Sequence, residues 1–497
     1  MHNVPESVVP ASVTSPKSLR ALLRELERAQ RALHPGASKR KRMRRAIVNS
    51  TERFLSDIED LPTFRITDDG GSGLLDSPIG PDGISIERAV ALLEHNVVRP
   101  GANTASGGHL AYIPGSSVYH ASLGDYFAAV TNKYAGIFFS APGAVRMENM
   151  LLRWTADLVG YPATAGGHVA SGGSIANLTA ITAARDAAGL KGADYSRAVV
   201  YLTTQAHHCI DKALRIAGMA ETRVHYVAMD ERFRMRPDAL KEAIDADRRL
   251  GFNPWLVIAS AGTTDTGAVD PLDAIGAIAR GARCWYHVDA AYGGFFLLTA
   301  YGRETLRGIE MSDSVVLDPH KSLFLPYGTG IVLVRDRATL LVTNHYQASY
   351  MQDAVRDASE VSPADVSPEL TKHFRALRMW LPLIVVGTTP FTAALDEKLL
   401  LARYFRRKVA ALGFSVGPEP DLSIVTYRWA PDGVPLETAN AMNRAILEGS
   451  QRDGRVFLSS TMIDGVYTLR LVALSSRTHR RTIDLALTVL AEQVAAL

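Results

Sequence analysis

The chain has 497 residues, 47% of them hydrophobic and 21% charged, with a formal net charge of +3. Those proportions are ordinary for globular proteins and exclude a disordered or fibrous chain, while the length implies two or three domains around a large core. The mild, interspersed charge gives nucleic acid no footing, and two cysteines, Cys209 and Cys284, are too few for a disulfide framework or a thiolate metal cluster.

Residues 1 to about 17 are rich in Ser, Pro and Val without periodicity. They lack a basic stretch followed by an apolar one, and no apolar run approaches the ~20 residues that cross a bilayer, so a cytoplasmic protein without membrane contact is expected. Leu19, Leu22, Leu23, Leu26 and Leu33 then recur at helical spacing until His34-Pro35-Gly36, predicting an amphipathic helix in need of a partner surface. The run Lys39, Arg40, Lys41, Arg42, Arg44, Arg45 reads as a solvated helix face. A second helical stretch through Phe54 ends near Leu61-Pro62, and Asp68 to Gly73 reads as a loop. Residues 1–117 are taken as an N-terminal helical segment that serves dimerisation.

From 118 to 377, apolar runs alternate with Ala-rich helical stretches. Val199 to Thr203, Trp255 to Ser260, Cys284 to Val288, Ser314 to Leu317 and Gly330 to Arg335 have the β-branched or apolar character of strands covered on both faces. An α/β domain with a mainly parallel sheet follows, and its ligands are expected beyond the carboxyl ends of the strands. Residues 378–497 hold the runs Leu422 to Trp429, Arg455 to Ser459 and Tyr467 to Leu474, then Ile483, Leu487, Leu490, Val494 and Leu497 on one helix face, predicting a small α+β domain.

Chemistry gathers just after the predicted strands. Asp318-Pro319-His320-Lys321 follows Ser314 to Leu317, and burial of Lys321 there would disfavour its ammonium and leave an amine able to attack a carbonyl, as Schiff-base formation requires. Asp289, after Cys284 to Val288, brings a carboxylate to the same edge with small residues behind it, and His287 with Asp289 lacks a third partner for a metal. Ser171-Gly172-Gly173-Ser174 opens a helix Ile175 to Ala184, exposing amides suited to a phosphate. Gly262-Thr263-Thr264 supplies hydroxyls at another strand end, and His207 offers a flat ring after Val199 to Thr203.

In this order the segments Ser-Gly-Gly-Ser-x-Ala-Asn-Leu, Gln205-Ala206-His207, Gly-Thr-Thr, His-Val-Asp-Ala-Ala-Tyr, Asp-Pro-His-Lys and Gly454-Arg455-Val456-Phe457-Leu458-Ser459 closely resemble the group II decarboxylases dependent on pyridoxal 5'-phosphate (PLP). That family includes the aromatic amino acid and glutamate decarboxylases, and the resemblance runs from about Leu92 to the C-terminus. It implies the PLP-dependent transferase-like fold of type I, with helices on both faces of the sheet, and decarboxylation of an amino acid to an amine and carbon dioxide.

The resemblance further implies that Lys321 carries PLP as a Schiff base, Asp289 pairs with the ring nitrogen, His207 stacks on the ring, Thr264 touches it, and Gly173, Ser174 and His320 contact the phosphate, with Asp318 beside them. Tyr350, in Ala348-Ser349-Tyr350-Met351-Gln352-Asp353, matches the loop tyrosine that protonates the substrate's α-carbon, and Phe374 to Trp380 also matches. The family's aromatic-specific members often carry Asn where this chain has Asp318, and a hydroxylated residue after Tyr-x-Pro where it has Tyr112-Ile113-Pro114-Gly115, so Ser116 is a candidate to replace that hydroxyl. An aromatic substrate is nonetheless expected, because Tyr112, Phe138 and Phe139 can line an apolar pocket and no arginine marks a site for a second carboxylate. A homodimer is implied, with Tyr112, Ile113, Pro114, Ile137 and Phe138 at the substrate pocket and the segment around Ile137 to Phe139 coming from the partner. The alternatives on the same scaffold are a decarboxylation-dependent aldehyde synthase and a carbon-carbon lyase acting on phosphorylated sphingoid bases.

Overall fold

The computed structural model describes residues 16–113, 115–345 and 360–497. The described chain divides into two compact units between Asn103 and Thr104, earlier than the 117 expected. Residues beyond 103 go with the second unit because they are stitched into it: the Leu110 N–H donates to the Phe457 carbonyl (2.9 Å) and the Val472 N–H to the Leu110 carbonyl (2.8 Å). Leu110 is fully buried there.

The first unit holds helices Pro16–Ala29, Ala37–Asp57 and Ile86–Leu93, with a two-residue antiparallel ladder between β1 (Phe64–Arg65) and β2 (Gly101–Ala102). Ser85 caps the third of these helices by accepting the Arg88 N–H at 3.1 Å. No described residue of the first two helices is buried, and the basic run from Lys39 to Arg45 lies exposed on the second.

The second unit is built on a seven-stranded sheet. Its strands are β3 (Gly166–Ala170), β4 (Ala198–Leu202), β5 (Arg223–Tyr226), β6 (Asn253–Ser260), β7 (Trp285–Asp289), β8 (Ser314–Leu317) and β9 (Gly330–Val334), in the spatial order β3-β9-β8-β7-β6-β4-β5. Only β9 runs against the rest. The chain between β8 and β9 holds a single helical turn, Pro319–Ser322, too little for a crossover, so it returns antiparallel and carries Lys321 at the bend.

Alternation along the strands explains why both faces are covered. Val199, Tyr201, Val288, Val315, Leu317, Ile331 and Leu333 pack on one side with Leu151 and Leu152 of helix Pro142–Val159, Leu240 of Pro237–Arg249 and Ile275 of Leu272–Gly281. Their neighbours Val200, Leu202, Ile258, Val316 and Val332 face the other side and meet helices Gly173–Ala187 and Cys209–Ile216.

A second, antiparallel sheet contains β10 (Ser415–Val416), β11 (Ile424–Arg428), β12 (Ser459–Ile463) and β13 (Val466–Val472), in the order β10-β11-β13-β12. Its apolar face shares a core with helices Thr389–Ala411, Leu436–Asp453 and Arg480–Ala495 through Phe405, Tyr427, Ile446, Leu471, Ile483 and Leu490. The strand expected at Arg455 to Ser459 begins only at Ser459, because Phe457 pairs instead with His109 in an isolated bridge.

Candidate active site

Five parallel strands end at one cavity of about 380 Å³. β3 delivers Ser171 to Ser174, β4 delivers His207, β6 delivers Gly262 to Thr264, β7 delivers Asp289, and β8 delivers Asp318, His320 and Lys321, all of which line it. The expected cofactor contacts Gly173, Ser174, His207, Thr264, Asp289, Asp318, His320 and Lys321 are therefore gathered in one place. Asn177, Cys209 and Tyr327 also line the cavity and were not singled out from sequence.

Lys321 is set by local geometry. Its N–H donates to the Asp318 carbonyl at 2.9 Å, closing the short turn, and Phe324 accepts a left-handed φ of 57° three residues later, seated in the core against Phe391. The Lys321 ammonium lies 3.0 Å from Asp318 Oδ2, and the carboxylate itself is 1% exposed. Burial pulls the lysine pKa down, but the Asp318 and Asp289 charges and the Asp318 hydrogen bond outweigh it and hold the amine above its ordinary value. The expectation of a neutral amine from burial alone is thus corrected: without cofactor, Lys321 is an ammonium paired with Asp318.

Asp289 accepts the Ala291 N–H on Oδ1 (3.1 Å) and the Asn177 amide on Oδ2 (3.2 Å). The His207 Nδ1 accepts the Cys209 N–H at 3.2 Å. Burial lowers the His207 pKa against the opposing pull of Asp289, so the ring is a neutral plane with its remaining proton on Nε2. Burial likewise pushes the Cys209 thiol up to about 12, leaving it an inert wall of the cavity.

Helix Gly173–Ala187 begins at the cavity, so the first-turn amides of Gly173 and Ser174 have no preceding helical carbonyl and face a ligand with the positive end of the helix. Glycine at 173 is a packing need, since a Cβ there would lie 2.9 Å from Asp318 Oδ2. His320 is tied back to Thr329, whose N–H lies 3.3 Å from its Nδ1. Arg378 braces that loop by donating to the Tyr327 carbonyl (2.8 Å) and Thr329 Oγ1 (3.1 Å) while paired with Asp125 at 2.7 Å. From the small sheet, buried Arg470 donates to the Thr264 and Asp265 carbonyls and so fixes the β6 loop.

The expected substrate-pocket residues fall elsewhere. Tyr112 is exposed and sits against Phe457, and Ile113 packs on the main core. Ile137 and Phe138 are buried in their own chain, Phe138 beneath the Arg146 guanidinium at 5.0 Å, and only Phe139 is exposed. None of these lines the cavity within one chain. Ser116, the candidate for the missing hydroxyl, is buried with its Oγ bonded to Ser476 at 2.8 Å and does not line the cavity. Pro114 and Tyr350 lie outside the described residues.

An amine, a carboxylate and a cradle of amides on one cavity match the aldehyde, ring nitrogen and phosphate of PLP. Residues 88–430 match the family model described as the pyridoxal-dependent decarboxylase conserved domain. An aromatic-L-amino-acid decarboxylase of Bacillus atrophaeus is 34% identical over 372 residues, 74% of this chain and 77% of that protein. A phenylacetaldehyde synthase of Arabidopsis thaliana is 27% identical over 78% of this chain and 81% of its own. The crystal structure of Oryza sativa TDC with PLP and tryptamine superposes with a TM-score of 0.88 at 24% identity, over 93% of this chain and 99% of that one. Fold, cavity and these likenesses agree, and the chain belongs to the pyridoxal-dependent decarboxylases, enzymes that use PLP to remove the carboxylate of an amino acid.

Proposed function

We propose that this decarboxylase acts on an aromatic L-amino acid and releases the amine and carbon dioxide, with Lys321 as the covalent anchor of PLP. The observation that carries the residue assignment is the convergence of Lys321, Asp289, His207 and the Gly173–Ser174 amides on one cavity. When bound there, PLP supplies an electron sink for the bond that breaks at the α-carbon. The chain's own residues do the rest: Asp289 holds a proton on the ring nitrogen, neutral His207 presents a face to the ring, and Gly173, Ser174 and His320 hold the phosphate. Thr264 touches the ring from the braced β6 loop. Walls that exclude water and hold the scissile bond in line would complete the protein's share. Tyr350 then delivers a proton to the α-carbon.

Among the described residues no arginine lines the cavity, which supports an uncharged side chain on the substrate over an acidic one. The kinship with an aromatic-L-amino-acid decarboxylase points the same way. A homodimer is supported by the unburied Leu19, Leu23, Ile47 and Val48 on the first two helices, by Leu33 between them and by exposed Phe139, surfaces that a second copy of the chain would cover. The two cysteines are free and buried, as suits the reducing cytoplasm.

The test is incubation of the PLP-loaded protein with a panel of amino acids, following carbon dioxide and the organic product. Amine with carbon dioxide from Phe, Tyr, Trp or their ring-hydroxylated derivatives is expected. Aldehyde with ammonia and peroxide would favour the synthase reading, to which the phenylacetaldehyde synthase likeness gives weight and which Tyr350 opposes. Borohydride reduction followed by peptide mapping should find the cofactor on Lys321, and finding it on another side chain would refute the assignment.

A further inference from the structure

Four side chains behind Asp289 form a file of hydrogen bonds that ends on its carboxylate. The Trp285 indole N–H donates to Ser314 Oγ at 2.8 Å, and Ser314 Oγ lies 2.8 Å from His287 Nδ1. His287 Nε2 lies 2.7 Å from Asn177 Oδ1, and the Asn177 amide nitrogen donates to Asp289 Oδ2 at 3.2 Å. The strand period builds this file: Trp285, His287 and Asp289 are alternate residues of β7 and share a face, while the register opposes His287 to Ser314 on β8. His287, Ser314 and Asn177 are each no more than 1% exposed, so water does not compete for their bonds.

The carboxylate end gives the file its direction, since Ser314 Oγ, with two lone pairs, could accept from both Trp285 and His287. An indole can only donate and an ionised carboxylate can only accept. Between them, the Ser314 hydroxyl donates to His287 Nδ1, the Nε2–H of His287 donates to the Asn177 carbonyl, and the Asn177 NH₂ group is left facing Asp289. Reversing any one link would set donor against donor or acceptor against acceptor along the line. Burial also keeps His287 uncharged, with its pKa pushed down to about 4. A protonated Asp289 would instead offer a hydroxyl to Asn177, turn its amide and move the His287 proton to Nδ1.

We propose that Trp285, Ser314, His287 and Asn177 are positioning residues that hold Asp289 as an oriented, unprotonated acceptor for the PLP ring nitrogen. The inference rests on Asp289 being that partner. Its distinctive consequence is one tautomer of one histidine, and this is legible before any cofactor is bound.

The test starts with nitrogen-15 spectra of histidine-labelled, cofactor-free protein, in which the His287 signal is identified by its loss in His287→Gln. The expected result is a neutral ring with its proton on Nε2, and a proton on Nδ1 or a charged ring would overturn the proposal. The tautomer itself is read on the unaltered protein, and His287→Gln serves only to assign the signal. Ser314→Ala should yield mixed tautomers and bind PLP about tenfold more weakly, and Asn177→Leu about ten- to a hundredfold more weakly, the scale of one lost bond to a charged group. Ser314→Thr should restore both readouts. Affinities within twofold of the parent for Ser314→Ala and Asn177→Leu would also overturn it. If the parent protein attaches PLP to Lys321 while these results fail, only the positioning role falls. If the parent never attaches PLP there, the residue assignment itself is wrong.

Discussion

The half of the active site that meets the cofactor and the half expected to meet the substrate are built differently. The first rests on the ends of five strands, with Asp289 held by two donors, the Lys321 turn closed on Asp318, and the loops of β6 and β8 braced by Arg470 and Arg378. The second involves Tyr112 and Phe139, both exposed, and Ile137 and Phe138, both turned into their own chain. Among the described residues, one chain gathers the groups expected to meet the cofactor in one cavity and leaves those expected to meet the substrate outside its lining. Charge and proton positions must be fixed to fractions of an ångström by packed elements, whereas a selective wall can be supplied by loops and by a second subunit.

The sharpest way to break this comparison is Lys321→Arg. A guanidinium keeps a cation beside Asp318 but forms no Schiff base, so turnover should fall by more than about a thousandfold with the visible absorbance of the bound cofactor lost. Tyr112→Ala should keep that absorbance and alter only the response to substrate. If Lys321→Arg retained both colour and turnover, the cofactor half would be misassigned.

The next largest effect concerns the join between the halves. Lys372, just beyond the segment of Tyr350, is paired with Glu148, and both side chains are buried. Glu148 also accepts the Val169 N–H at 2.9 Å, on the strand that leads into the phosphate turn. Lys372→Met leaves a buried carboxylate without its cation and should cost about 3–5 kcal/mol, measured by urea unfolding. Adding Glu148→Gln should return most of that loss. A cost under 1 kcal/mol for the single change would mean the pair does not hold the halves together.

Much of the cofactor half was legible in the sequence because its residues follow strands with clear patterns. Ser314 to Leu317 is a strand with those bounds, and the residues after it line the cavity as expected. What escaped has physical reasons. β3 reads Gly-Gly-His-Val-Ala, with little apolar signal, and the run at Gly330 to Val334 looks the same in either direction, so its reversal is invisible without its neighbours. Asn177 sat inside a quoted motif, but its tie to Asp289 spans 112 residues. The charge on Lys321 was misjudged because burial can be guessed from a strand end, whereas a carboxylate at 3.0 Å cannot.

That charge yields a smaller, kinetic effect. The folded protein raises the Lys321 pKa, so the ammonium stabilises the fold fully below the ordinary lysine range, and this contribution is lost only as pH climbs through the higher folded value. Attachment of PLP needs the neutral amine, so its rate in cofactor-free protein should climb about tenfold per pH unit between about pH 7 and 9. Asp318→Asn removes the nearest raising charge and should speed attachment at neutral pH by about tenfold. A rate flat with pH, or unchanged by Asp318→Asn, would show that the ion pair is not the resting state.

The smallest effect bears on the substrate half, at the glycine that stands where aromatic-specific relatives often carry a hydroxyl. A Cβ at Gly115 would lie 2.2 Å from the His320 carbonyl oxygen and 3.1 Å from that of Leu325, both backbone atoms of the Lys321 turn. Gly115→Ala must therefore displace either its own segment or that turn. The turn is closed by hydrogen bonds and held in the core by Phe324, while Ser116 is tied to Ser476 and the Val118 N–H to the Phe324 carbonyl; the expected outcome is that the segment around residue 115 yields. KM is expected to rise about three- to tenfold with kcat and the cofactor absorbance nearly unchanged, the signature of lost binding that is uniform along the reaction. If kcat and the absorbance shift instead, the Lys321 turn gave way, and the substrate half is the stiffer of the two.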